Sequence, residues 1–162
     1  MNFFCTDRVK TDIEKLEKKP SYSNLRLLFY EYLVSHSKPQ DWKSGSRLCL
    51  DNENFHFIKR YFGGSGAYRL CYVLAIRNGE VTIAGVYPKT GSQGSSNLTD
   101  EGKVMILNEA HDGIRNNSRF KIKLDSEKKS ISFELEEKKE NEILLISQIE
   151  KKKSKSKRKK KK

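Results

Sequence analysis

Apolar and polar positions along the chain follow two rhythms, and the rhythm changes at identifiable breaks. Residues 2–5 (NFFC) are a short apolar run suited to a buried strand, and Thr6 behind them is a candidate helix N-cap. Val9, Ile13 and Leu16 recur at helical spacing, which predicts a helix running to about Lys19, where Pro20 stops it. From Tyr22 to His36 (YSNLRLLFYEYLVSH), Leu25, Leu28, Phe29, Tyr32 and Leu33 repeat at three- and four-residue intervals and predict a second helix, hairpinned against the first. Residues 37–54 (SKPQDWKSGSRLCLDNEN) are polar and turn-rich, as a surface loop would be, with Trp42, Leu48 and Leu50 as candidate anchors.

Beyond this loop the period shortens to two. FHFIKRYF (Phe55 to Phe62), YRLCYVLAI (Tyr68 to Ile76) and VTIAGVY (Val81 to Tyr87) read as three strands of an antiparallel sheet, with an Asn78-Gly79 turn joining the last two. Pro88 ends the sheet and the Gly/Ser segment KTGSQGSSN follows. Asn97 or Thr99, with Asp100 and Glu101 behind it, then opens a helix through Val104, Leu107 and Ala110 that should stop near Gly113. RFKIKLD and SISFELEE flank the turn-like SEKK and predict a further hairpin over 119–136. Its apolar face (Phe120, Ile122, Leu124, Ile131, Phe133, Leu135) must be covered, and packing on the sheet or helices is the expected solution. Residues 142–149 (EILLISQI) are compatible with either a third strand or a short helix.

The expected fold is therefore α+β: a small antiparallel sheet packed against an N-terminal helical hairpin and a short C-terminal helix, with an extra C-terminal β-hairpin. The 162 residues divide into a domain over 1–116, a hairpin extension over 117–150 and a tail over 151–162. The formal net charge of +12 invites an anionic partner, but its location changes that inference. The tail KKKSKSKRKKKK holds ten of the 33 basic residues and no acid, leaving 23 basic against 21 acidic residues before it. A run of this kind is expected to be solvated and self-repelling; it can speed encounter with nucleic acid or simply solubilise the chain, but cannot form a catalytic site. Cys5, Cys49 and Cys71 are far apart and lack metal-ligand spacing, so they read as reduced thiols of a cytoplasmic protein, and no cofactor is expected. No apolar run approaches the roughly 18 residues that span a bilayer, nor does MNFFCTDR carry signal-peptide features, so no membrane partner is expected.

The order strand, two helices, loop, three-stranded meander, short helix resembles the RelE/ParE toxin superfamily of bacterial toxin-antitoxin systems. The local match lies in SGAYRLCYVL followed by VTIAGVYPKT, which is similar to that family's glycine-then-arginine strand and its next strand ending in a basic residue. The resemblance covers roughly residues 1–113. It implies a toxin that acts as a metal-independent, ribosome-dependent endoribonuclease, cleaving mRNA by attack of the ribose 2′-OH on the adjacent phosphate, and it implies a cognate antitoxin as partner.

Such chemistry needs cations for the charge that develops on phosphorus, and groups that move protons. By the resemblance, Arg69 matches the strand arginine and Lys89 the basic residue after the following strand, while Lys59 matches one of the family's paired strand lysines. Tyr61 stands where the second lysine is expected, and a tyrosine among cations can have its pKa lowered enough to act as a base. The family's C-terminal catalytic tyrosine has no clear match; Tyr87 and His111 are the substitutes. Each has an ordinary structural reading as well. Arg69 would pair with a surface carboxylate, Lys59 and Lys89 would be solvated, Tyr61 and Tyr87 would be half-buried sheet aromatics, and His111 would be a helix-terminal cation. Two other functions fit the same scaffold: a ParE-type toxin that inhibits DNA gyrase without nuclease activity, and a non-catalytic RNA-binding protein.

Overall fold

The computed structural model describes residues 1–48, 55–75, 79–89 and 98–136. Leu50, Asn78, Asn97, residues 142–149 and the lysine tail, each given an expectation above, lie outside the described residues. β1 (Asn2–Cys5) leads into α1 (Asp7–Leu16), α2 (Leu25–Ser35) and a two-residue β2 (Ser46–Arg47). The meander β3 (Phe55–Phe62), β4 (Tyr68–Ala75) and β5 (Glu80–Pro88) follows, then α3 (Asp100–Asn116) and the hairpin β6 (Phe120–Asp125) and β7 (Ser130–Leu135).

The α+β class holds, but the sheet is neither small nor purely antiparallel. Among the described residues it has seven strands in the order β2-β3-β4-β5-β1-β6-β7. β1 runs parallel to β5, from Asn2 opposite Glu80 to Cys5 opposite Ile83, and antiparallel to β6. A parallel partner far along the chain leaves no mark on local alternation. What the apolar run of β1 does reflect is burial on both sides: Phe3, Phe4 and Cys5 are all buried. The expected hairpin continues this same sheet through β6.

Alternation along the central strands divides the molecule into three layers. Ile58, Leu70, Tyr72, Leu74 and Ile83 face α1 and α2, meeting Val9, Ile13, Leu25, Phe29 and Leu33. Phe57, Cys71, Val73 and Ala84 face the opposite way, against Ile106, Leu107 and Ala110 of α3. Thr6 caps α1 as expected, accepting from the Val9 N–H at 3.4 Å. The helix ends at Leu16 and not at Lys19, because Lys19 precedes Pro20 and is held extended (φ −98°, ψ 130°). Pro20–Tyr22 form a single 3₁₀ turn, which delays α2 to Leu25.

Thr99, not Asn97, caps α3, its hydroxyl accepting from the Gly102 N–H at 3.1 Å. The helix runs past Gly113 to Asn116 and is closed by Asn117 in the left-handed region, φ 48°. Gly113 serves a different purpose: a Cβ there would lie 3.0 Å from Arg119 Cγ, so its absence lets the Arg119 side chain pass. Residues 37–48 are more than a surface loop. Trp42 is completely buried, with Tyr72 (4.9 Å) and Phe3 (5.2 Å) against its ring, and the Tyr72 hydroxyl donates to the Trp42 carbonyl at 2.8 Å. This anchor seats β2 on the edge of β3, pairing Ser46 with Lys59.

α2 covers the hairpin, as Arg26 donates to the Ile131 carbonyl at 2.8 Å and its guanidinium lies 5.5 Å from the Phe133 ring. Ile122 and Ile131 are buried beneath it, whereas Leu124 and Leu135 remain exposed. On the other face Arg119, 3 % exposed, grips Glu136 through two hydrogen bonds of 2.8 Å and reaches Glu80 (3.2 Å) and Thr82 (2.9 Å). It thereby ties the end of β7 to β5 across β1 and β6. Removing one partner of a buried ionic cluster strands the others, whereas an exposed pair contributes little. Arg119→Ala should therefore cost about 3 kcal/mol in urea unfolding. Lys123→Ala, which breaks the exposed Lys123–Glu134 pair, should cost less than about 1 kcal/mol. Equal losses would show that Arg119 does not hold the hairpin.

Candidate functional site

Three directly paired residues form a row across the meander: Tyr61 on β3 opposite Arg69 on β4, and Arg69 opposite Tyr87 on β5. Arg69 shares the face of Cys71 and Val73, one step beyond the area that α3 covers. Its side chain is 3 % exposed, with the guanidinium carbon 5.6 Å from both the Tyr61 and the Tyr87 ring centres. Two aromatic faces thus flank one buried cation, within the separation at which ring quadrupoles stabilise positive charge.

Tyr87 reaches this face through a bulge. Strict alternation from Val81 would turn Tyr87 towards α1 and α2, but the register of β5 against β4 shifts between Cys71 and Tyr72. Ile83 and Val86 consequently both enter the α1/α2 core, and Tyr87 emerges on the α3 side. Gly85 makes room, since a Cβ at that position would meet Tyr87 Cε1 at 3.1 Å. The Tyr87 hydroxyl lies 3.3 Å from Cys71 Sγ. Burial raises the pKa of Tyr87 well above the ordinary phenol value, and the neighbouring thiol adds to the effect, so this hydroxyl stays protonated.

Tyr61 has the opposite environment. It is 43 % exposed, and Lys59 Nζ and Lys89 Nζ stand 5.8 and 5.4 Å from its ring centre. Its slight burial raises the phenol pKa, but hydrogen bonding to the Arg69 guanidinium and the charges of Lys59 and Arg69 outweigh that effect. The result is a phenol held below its usual value. Two tyrosines on either side of one arginine are thus driven apart in acidity, the arrangement that separates proton-exchanging from neutral hydrogen-bonding roles. The Gly63 to Gly66 turn supports the row: Gly63 and Gly66 have φ of 78° and 66°, and Gly66 packs against the Tyr61 side chain. Lys89 is placed by its N–H, which donates to the Ala67 carbonyl at 2.9 Å.

Of the six residues singled out in the sequence, Arg69, Tyr61, Tyr87, Lys59 and Lys89 come together. His111 does not. It lies on α3 with its ring 5.5 Å from Phe55, at the far end of β3 from Tyr61. Burial and the charge of Arg115 lower its pKa, so it is a poor cation there. Two residues not anticipated join the site. Arg47 on β2 and Lys103 on α3 line, with Lys59 and Arg69, a polar groove of about 400 Å³. Arg47 sat in a turn-rich stretch without strand periodicity, and Lys103 looked like any solvated helix lysine; Lys103 also pairs with Asp100 at 2.7 Å.

Four basic side chains beside a polarised phenol suit an anion with several phosphates and a transferable proton. Among the described residues no group of three or more His, Cys, Asp or Glu is placed to hold a metal ion, and no helix is long and apolar enough to cross a membrane. Comparison with family models, curated proteins and solved structures gives no match.

The row can be tested without any substrate. In spectrophotometric titration, the difference between the parent chain and Tyr61→Phe should isolate a phenol titrating below the ordinary value of about 10. Arg69→Ala should move that titration upward. A Tyr61 midpoint unchanged by Arg69→Ala would separate the two residues electrostatically and dissolve the row as a unit.

Proposed function

We propose that the chain is a toxin of the RelE type, a ribosome-dependent endoribonuclease that cleaves mRNA within its basic groove. The observation that carries this reading is the Tyr61–Arg69–Tyr87 row with Lys59 and Lys89 at its exposed end. The element order of strand, two helices, loop, three-stranded meander and helix supports a RelE-like fold. A cognate antitoxin that blocks the groove, and a cytoplasmic setting, belong to the same proposal.

In this reading Arg69 stabilises the charge that develops on the scissile phosphate. A guanidinium already held between two rings needs no reorganisation when that charge appears. Tyr61, as phenolate, removes the ribose 2′-OH proton. The 2′ oxygen forms a bond to the adjacent phosphorus, the bond to the 5′ oxygen breaks, and the ammonium of Lys89 or Lys59 returns a proton to that leaving oxygen. The products are a 2′,3′-cyclic phosphate and a 5′-hydroxyl. Arg47 and Lys103 hold flanking phosphates, and Tyr87 remains neutral and fixes the arginine. The ParE-type reading gains nothing from a row of this kind, because gyrase inhibition has no use for a buried arginine beside an acidified phenol.

Single-turnover cleavage of ribosome-bound message should slow by about 10²-fold in Arg69→Ala, with ribosome binding retained. Over the pH range where Tyr61 titrates, the rate of the parent chain should rise with pH as the phenol ionises. In Tyr61→Phe it should be low and flat. Binding of message without cleavage in the parent chain would leave an RNA-binding protein; growth arrest with intact messages and trapped gyrase-DNA complexes would favour the gyrase reading.

A further inference from the structure

On the side of α3 turned away from the sheet, Asp100, Glu101, Glu109 and Asp112 rim a shallow groove of about 680 Å³, and among the described residues no cation lines it. At its centre Val104 and Met105 are 41 % and 45 % exposed. An apolar pair inside an acidic rim is complementary to a segment that is apolar and then strongly cationic. The chain carries such a segment beyond the described residues: Ile143, Leu144, Leu145, Ile146 and Ile149 run directly into the lysines of 151–162.

The point of departure fits as well. Glu136, the last described residue, donates its N–H to the Arg119 carbonyl at 2.8 Å, and its carboxylate accepts from the Arg119 guanidinium. The Arg119 stem passes directly over Gly113 of α3. The chain therefore leaves the sheet beside the C-terminal part of this helix. From Gly113 back to Met105 the helix covers about 12 Å at its usual rise, and residues 137–142 can span up to about 20 Å when extended. The apolar run begins within reach of the exposed pair.

We infer that residues 143–149 dock on Val104 and Met105, with the lysines of 151–162 lying against Asp100, Glu101, Glu109 and Asp112. α3 is in this way covered by the chain's own C-terminal segment, and the ten basic residues of the tail are held in check by carboxylates until a stronger polyanion competes for them. The inference is independent of the ribonuclease reading.

The chain has two methionines, and they supply the assay. Met1 is 37 % exposed and Met105 45 %, so without a cover peroxide should oxidise them at comparable rates. In the full chain Met105 should be oxidised about tenfold more slowly relative to Met1. Leu144→Asp with Leu145→Asp, outside the described elements, should restore a comparable rate; so should Glu101→Lys with Asp112→Lys, which reverse exposed rim charges. A Met105 to Met1 ratio that is the same in the parent and both double variants overturns the proposal, as it would if 143–149 paired along the edge of β7 instead. Protection that grows with protein concentration also overturns it, in favour of the tail of a second copy.

Discussion

A guanidinium that is 3 % exposed must be stabilised by something other than bulk water, and Arg69 has two ring faces and a phenol oxygen for that purpose. The rest of the site depends on this constraint. Keeping the charge buried requires both tyrosines in register with it, which requires β3, β4 and β5 to pair without slippage at that end of the sheet. Holding it also alters its neighbours. The same positive charge that needs the rings acidifies the exposed phenol of Tyr61, and burial leaves Tyr87 protonated.

The surrounding fold meets this requirement from both sides of the sheet. On one side the layer of α1 and α2 fixes the strands through a core that includes Ile58, Leu70 and Tyr72, each adjacent in sequence or in register to a site residue. On the other, α3 covers Cys71 and Val73 but stops short of Arg69, so the arginine sits where the covered area gives way to an open groove. The Trp42 anchor carries β2 to the same place. Gly45 (φ 130°) allows the approach, for a Cβ there would come within 2.6 Å of Ile58. Arg47 thus enters the groove as a consequence of packing some distance away.

The sequence was informative wherever a property is local. The strands of the meander, the Thr6 cap, the helix stripes and the hairpin over 119–136 all follow from spacing and turn chemistry, and five of the six site residues were legible from the strand pattern and the family resemblance. What escaped was set by partners distant in the chain. The parallel pairing of β1 with β5 leaves no trace in NFFC, and the alternation of VTIAGVY points Tyr87 to the wrong face because a bulge intervenes. Gly85, a lone glycine inside a strand, was the signal available for that bulge. His111 was chosen for its chemistry and its helix, but the direction of α3 carries it to Phe55. Arg47 and Lys103 were missed because a groove formed by three separate elements has no linear signature.

The central claim is that this row of side chains directs a 2′-OH onto its neighbouring phosphate. The most direct measurement reads the ends of message fragments made on programmed ribosomes by the purified chain in the presence of a chelator. The account predicts upstream fragments ending in 2′,3′-cyclic phosphate and downstream fragments starting with 5′-hydroxyl, with both absent in Arg69→Ala at matched ribosome occupancy. Fragments bearing 5′-phosphates, or cleavage that persists undiminished in Arg69→Ala, would contradict it.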